Sequence, residues 1–230
     1  MILAAGRGER MRPLSDTCPK PLLRAGGKPL IAWQIEALAS AGYRDIVINA
    51  SWLAAELVAA LGNGDAFGVR IHWSLEPEPL ETAGGIATAL PLFPPGPLLI
   101  VSGDIWTRFD YGSLASRVAA MARGPSPARA HLVMVPNPAF HPGGDFALGA
   151  GRVALEGSDK LTFGNIALYD SELFRELPRG AKIKLLPLFR DWIGRGWVSG
   201  ERFDGPWANV GTPAELAALD RRLAGLTGRS

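Results

Sequence analysis

Glycines, fixed cations and one strand-end carboxylate are the residues of this chain best suited to handle phosphate. The loop Gly6-Arg7-Gly8-Glu9-Arg10-Met11-Arg12 follows the apolar run Met1-Ile2-Leu3-Ala4-Ala5, and Pro19-Lys20-Pro21 comes shortly after. A strand that empties into a glycine-bearing turn brings backbone N–H groups close to an anion, and nearby cations neutralise its charge. Arginine offers a rigid donor fork for phosphate oxygens, and lysine a compact point charge that sits beside a single phosphorus. That division of labour suits a triphosphate. A dinucleotide-binding loop would need a third glycine where Met11 stands, and a Walker loop would end in Gly-Lys-Ser/Thr, a triplet the chain lacks.

Two further stretches carry candidate chemistry. In Glu76-Pro77-Glu78-Pro79-Leu80-Glu81-Thr82-Ala83-Gly84-Gly85, paired prolines stiffen the approach to a helix whose first turn contains glycines, so a planar base can lie close to the backbone. The plainer reading is a capped helix start with Thr82 as N-cap. The run Leu99-Ile100-Val101-Ser102-Gly103-Asp104 reads as a buried strand ending in a carboxylate, a good position for Mg²⁺, which prefers hard oxygen ligands. Its plainer reading is an Asx turn. Cys18 reads as a small loop residue, since no paired His or cationic base is nearby, and His72, His131 and His141 show no metal-ligand spacing.

The segment Leu3-Ala4-Ala5-Gly6-Arg7-Gly8-Glu9-Arg10-Met11-Arg12-Pro13-Leu14, with Pro19-Lys20-Pro21-Leu22-Leu23 after it, resembles the signature of the sugar-1-phosphate nucleotidylyltransferases. The resemblance implies that residues 6–8 wrap the β- and γ-phosphates of a nucleoside triphosphate, with Leu3, Ala4, Ala5 and Arg7 in the same nucleotide site. Arg10 would meet the leaving pyrophosphate and Lys20 the reacting α-phosphate. Glu76, Thr82 and Gly84 would hold the nucleobase. Asp104 would bind Mg²⁺ together with Asn209, which lies in Trp207-Ala208-Asn209-Val210-Gly211-Thr212-Pro213 where the family usually has aspartate. An amide oxygen still coordinates a hard cation but brings no negative charge, so weaker metal affinity is expected.

Other stretches extend the likeness: Gly144-Asp145-Phe146, Leu161-Thr162-Phe163-Gly164-Asn165-Ile166, Lys182-Ile183-Lys184-Leu185 with Pro187, and Val198-Ser199-Gly200-Glu201. Together they look most like the N-acetylmuramic acid 1-phosphate uridylyltransferases of bacterial cell-wall recycling. By that likeness Asp145 meets the amino-sugar, Lys184 meets its phosphate, and Asn165 replaces a residue that is usually glycine. The implied reaction joins UTP and N-acetylmuramic acid 1-phosphate into UDP-N-acetylmuramic acid, releasing pyrophosphate. Rival readings are a hexose 1-phosphate guanylyltransferase or thymidylyltransferase and, from another class, a non-catalytic nucleotide-sugar sensor suggested by Asn209.

The surrounding elements must position these groups. Apolar β-prone runs at Asp45–Ala50, 69–74, 98–102 and 131–135 alternate with helical patterns at 30–41, 53–61, 83–89 and 111–123. Such alternation predicts an α/β fold with a mostly parallel mixed sheet flanked by helices and ligands at the carboxyl ends of its strands, and the resemblance implies that it is Rossmann-like (GT-A-like). Beyond residue 136, glycine punctuation suggests a small antiparallel sugar-side subregion. A last helix is expected over 213–226, with Thr212 as N-cap and Glu215 as its capping-box partner. Residues 124–127 read as a short connection. The 230 residues suit a single nucleotidyltransferase domain, 1–135 forming the nucleotide-binding core and 136–230 the sugar-binding part with the C-terminal helix. Net charge is +2 and Lys and Arg are interspersed with Asp and Glu, which gives no support to a nucleic-acid partner. Cys18 is the single cysteine, no apolar run is long enough for a bilayer, and the apolar start is unlike a signal peptide, so a cytoplasmic location is expected. Nothing in the sequence sets an oligomeric state.

Overall fold

A computed structural model describes residues 1–123 and 128–227; the connection expected over 124–127 lies outside the described residues. Strands in chain order are β1 (Ile2–Leu3), β2 (Arg24–Ala25), β3 (Lys28–Pro29), β4 (Asp45–Ala50), β5 (Arg70–Leu75), β6 (Pro97–Ser102), β7 (Ile105–Thr107), β8 (Ala130–Val135), β9 (Phe146–Gly149), β10 (Arg152–Ala154), β11 (Lys160–Asp170), β12 (Val198–Arg202) and β13 (Trp207–Asn209). Helices are α1 (Leu14–Thr17), α2 (Leu30–Ser40), α3 (Ala54–Leu61), α4 (Glu81–Ala89), α5 (Ala115–Ala122), α6 (Leu185–Gly194) and α7 (Pro213–Thr227). The helix expected over 111–123 begins instead as a 3-10 turn at Tyr111–Leu114, opened by the Asp110 carboxylate accepting from Gly112 N–H at 2.9 Å.

The fold is α/β, as expected, and its sheet is mixed. Nine strands run in the order β5-β4-β1-β6-β11-β8-β12-β10-β9, with β5, β4, β1 and β6 mutually parallel. β11 lies antiparallel between β6 and β8, and β12 returns parallel to β8. The residues beyond 136 include the expected small antiparallel region and also do more than form it. They supply two strands to the body of the sheet, leaving β9 and β10 as its antiparallel edge. Burial explains the insertion: Ile166, Ala167, Leu168 and Tyr169 are all buried, so this stretch of β11 needs cover on both faces.

The two faces of the sheet carry separate cores. On one, Leu132, Met134, Ala167 and Tyr169 pack with Ile86 of α4 and with Phe189 and Trp192 of α6. On the other, Val133, Ile166 and Leu168 pack with Ile31, Ile35 and Leu38 of α2 and Leu57 of α3. Alternate residues of one strand thus anchor opposite layers, each large side chain contributing about 1.5–3 kcal/mol by burial. α2 ends where Gly42, at φ 93°, takes the left-handed position and the Tyr43 N–H donates back to Leu38 C=O at 3.0 Å.

A third cluster closes the end of the molecule behind the glycine loop. Met11, Leu23, Leu30, Trp106, Val210, Leu219 and Leu223 join the loop, the β2–β3 hairpin, the β7–β13 ribbon and α7. Met11 is fully buried there, which accounts for its presence where a dinucleotide loop would carry glycine: it pins the loop from behind.

Candidate active site

Residues 4–10 line a cavity of about 820 Å³ together with Lys20, Glu76, Thr82, Asp104, Lys182 and Gly211. Among the described residues the backbone N–H groups of Gly6, Arg7 and Gly8 have no hydrogen-bond partner, which leaves three consecutive donors for an anion. Gly8 adopts φ 64°, and a Cβ there would stand 3.1 Å from Lys20 Cβ and 3.4 Å from Ser15 Cβ. A side chain at this position would therefore strain the backbone and press on Lys20. The Lys20 ammonium donates to Asp104 Oδ2 at 2.5 Å, so loop and strand end share one cleft.

Asp104 is brought to Asn209 by the β7–β13 ribbon. Asn209 is the register partner of Ile105, and Val210 N–H donates to Asp104 C=O at 3.0 Å. Asn209 Oδ1 is buried without any hydrogen-bond partner. A buried amide oxygen left bare beside a strand-end carboxylate fits a hard cation. Among the described residues no group of three or more His, Cys, Asp or Glu could hold a metal, so the protein would supply these two oxygens and substrate phosphates or water the rest. Arg10 lies against Gly211, where an added Cβ would come 2.9 Å from its guanidinium. Glu215 forms the expected cap one residue out of place: its backbone N–H donates to Thr212 Oγ1 at 3.3 Å, but its carboxylate accepts from Gly211 N–H at 2.6 Å instead of from Thr212. The shift ties α7 to the residue on which Arg10 rests.

On the side expected to hold the base, Glu76 is buried and both its oxygens are engaged. Oε1 accepts from Asn49 Nδ2 at 2.7 Å and Oε2 from Leu80 N–H at 3.1 Å, while Asn49 Oδ1 accepts from Ala4 N–H at 2.8 Å. Burial pushes the Glu76 carboxyl above the usual carboxylate range. Thr82 is not the N-cap, because α4 begins at Glu81; its side chain lines the cleft. Gly84 does not line it. A Cβ there would lie 2.1 Å from Ala181 C=O, and Ile183 C=O accepts from both Ala83 and Gly84 N–H, so this glycine admits the strap 181–183 against α4. The strap places Lys182 at the cavity, whereas Lys184 is exposed at the N-cap of α6 and lines neither cavity.

A second cavity of about 510 Å³ adjoins the first, the two sharing Leu3, Arg10, Thr82 and Ser102. Asp145, Asn165 and Asn209 line it, with Phe163, Tyr169, Phe189 and Trp207. Asp145 accepts from Phe163 N–H at 2.8 Å and pairs with His141 Nε2 at 3.1 Å. Asn165 occupies a left-handed backbone, φ 58°, within an irregularity of β11 between Phe163 and Ala167, and Trp207 Nε1–H donates to Gly164 C=O at 2.9 Å. Asparagine is among the few non-glycine residues that tolerate this geometry, which explains how it replaces glycine. Sequence reasoning named none of Lys182, His141, Trp207 and Gly211 as site residues, although Trp207 and Gly211 each lie two residues from Asn209 and Lys182 lies two before Lys184. Cys18 behaves as a loop residue, its thiol pushed up by burial.

The sequence profile of the Nucleotidyl transferase family matches residues 1–135, the stretch that carries the loop, Lys20 and Asp104, and the chain belongs to that family. It is a sugar-1-phosphate nucleotidylyltransferase, a family that generally uses a divalent metal. The chain is 46% identical over 220 residues to the N-acetylmuramate alpha-1-phosphate uridylyltransferase of Neisseria meningitidis serogroup B, covering 94% of each. It is 32% identical to the enzyme of the same name from Caulobacter vibrioides, covering 97% of this chain and 96% of that one. In fold it is similar to the inositol-1-phosphate CTP transferase from T. maritima, at a TM-score of 0.76 and 16% identity over 99% of this chain and 95% of that one. Among the described residues no helix is long and apolar enough to cross a membrane.

Proposed function

We propose that this chain transfers a uridylyl group from UTP to N-acetylmuramic acid 1-phosphate with Mg²⁺ as cofactor, giving UDP-N-acetylmuramic acid and pyrophosphate. The observation that carries the chemistry is the Lys20–Asp104 pair at the junction of the loop, with its three free N–H groups, and the ribbon that holds Asn209 Oδ1 bare. The choice of base and sugar is supported by the 46% identity to the Neisseria relative, over 94% of this chain.

A phosphate oxygen of the sugar attacks the α-phosphorus of the nucleotide in line; the new P–O bond forms as the bond to the β-phosphate bridging oxygen breaks, and that oxygen leaves on pyrophosphate. No protein nucleophile is required, so the protein acts by positioning and by neutralising charge. Lys20 stabilises the charge on the reacting phosphorus, the N–H groups of residues 6–8 grip the β- and γ-phosphates, and Arg10 accompanies the departing pyrophosphate. Asp104 and Asn209 would hold the Mg²⁺, which would supply charge neutralisation to the phosphates. Thr82 and the α4 approach face the base. Asp145 and Asn165 face the sugar, and its phosphate meets Lys182 of the strap.

A panel of nucleoside triphosphates against sugar 1-phosphates, read as pyrophosphate release, tests this reading. UTP with N-acetylmuramic acid 1-phosphate is expected to turn over fastest. A preference for GTP with mannose 1-phosphate would overturn it, and binding of nucleotide without any turnover would favour a sensor.

A further inference from the structure

At the carboxyl end of β4 the chain turns through Ser51, Trp52 and Leu53 before entering α3. Leu53 adopts φ 50°, a left-handed backbone that a branched apolar residue seldom takes, and Ala54 N–H closes the turn on Ser51 C=O at 3.2 Å. Strain of this kind persists where surrounding contacts over-determine it, and it concentrates near functional sites. Here the contacts belong to Trp52. Its half-buried ring lies under the Arg7 guanidinium, 5.2 Å from the ring centroid. Its Nε1–H donates to Ser15 C=O at 2.9 Å. Ser15 is buried and passes the support on, its hydroxyl donating to Gly8 C=O at 2.8 Å. Gly8 is the left-handed residue whose lack of a Cβ makes room for Lys20. One side chain thus reaches both the Arg7 guanidinium and, through Ser15, the turn beside Lys20.

We propose that Trp52 is a positioning residue for the nucleoside triphosphate. The indole edge braces the turn that presents the N–H groups of residues 6–8, and the indole face holds Arg7 at the mouth of the cleft, where it stays as the triphosphate binds. The proposal rests on the reading of residues 6–8 as the triphosphate site and is independent of which base or sugar is used. A guanidinium over a partly solvated indole gains about two- to fivefold in an equilibrium, and its N–H groups remain available for charge-assisted bonds to a phosphate. Holding Arg7 there restricts a long side chain before the ligand arrives, so less freedom is lost on binding.

The test is steady-state kinetics of Trp52→Ala and Trp52→Phe, varying the preferred triphosphate and the sugar 1-phosphate separately. Trp52→Ala is expected to raise KM for the triphosphate about tenfold by losing the cation contact and the hydrogen bond together. KM for the sugar phosphate and kcat at saturating triphosphate should stay within twofold. Trp52→Phe keeps a ring face without the N–H and should fall between, which keeps the proposal testable should the alanine variant fail to fold. In an Arg7→Ala background the effect of Trp52→Ala should shrink, because the shared contact is already gone. A triphosphate KM within twofold of wild type in Trp52→Phe and Trp52→Ala, or an equal rise in both KM values, overturns the proposal. A wild-type protein that binds no nucleoside triphosphate overturns the loop reading and this proposal with it.

Discussion

On the phosphate side of the cleft, residues 6–8, Arg10 and Lys20 come from one short stretch of chain, held from behind by Met11 and α7. On the proposed sugar side, Asp145, Asn165, Phe189 and Trp207 arrive from four separate parts of the chain, and Trp207 donates to Gly164 C=O at the β11 irregularity. The contrast follows from the ligands. A triphosphate is recognised by charge, which backbone N–H groups and a few cations supply from any short loop of the right shape. A sugar is recognised largely by the shape of a wall, and a wall requires side chains from several elements packed at fixed distances.

Substitutions on the two sides should therefore separate in their effects. The largest is expected at Lys20: Lys20→Ala should lower pyrophosphate release about a hundred- to a thousandfold, the scale of losing a preorganised charge at the reacting centre. Near-normal turnover would remove Lys20 from the reaction. Gly84→Ala comes next, since its Cβ would collide with Ala181 C=O; the strap 181–183 must move, at a cost of about 1–3 kcal/mol in urea unfolding. An unchanged unfolding midpoint would mean that the strap yields freely.

At Asn165, replacement by valine forces a β-branched residue into a left-handed backbone and should cost about 1–2 kcal/mol, while glycine should be tolerated. The valine variant should raise KM for the sugar phosphate and leave KM for the triphosphate alone; movement of both would erase the contrast between the two sides. Asn209→Asp adds a negative charge beside Asp104 and should lower the Mg²⁺ concentration needed for half-maximal turnover several-fold. No change in that midpoint would remove Asn209 from the metal site.

The smallest effect is in the pH dependence of stability. Burial raises the Glu76 carboxyl above its unfolded value, so its contribution is fully present below the usual carboxylate range and is lost as pH rises through the raised value. Comparing thermal midpoints of wild type and Glu76→Gln across that window, the difference should move against the wild type as pH increases. A difference that stays constant with pH would mean that Glu76 ionises like an exposed carboxylate.

Much of the parallel half of the sheet was legible because its strands are short apolar runs bounded by turn residues, and the expected Asp45–Ala50 is the observed β4. β11 was not, because Gly164 and Asn165 interrupt its apolar pattern, while the pairing that sustains the strand comes from β6 and β8 on either side. The β7–β13 ribbon was hidden for a related reason: its two strands are three residues each and lie about a hundred residues apart. The cap at Glu215 was nearly right and differed by one residue, since Thr212 offered an N-cap hydroxyl but the free N–H within reach of the carboxylate was that of Gly211.

By itself the sequence determined the glycine loop, the cation that follows it, the strand-end carboxylate and the α/β class, all set by neighbours within a few residues or by hydrophobic period. Only the tertiary structure decided that Lys20 meets Asp104, that Lys182 faces the cleft and Lys184 does not, and that Asp145, Asn165 and Trp207 share a wall. Those relations depend on which strands neighbour one another in the sheet, and strand order is the outcome of burying both faces of β11 at once, a condition that no local segment encodes.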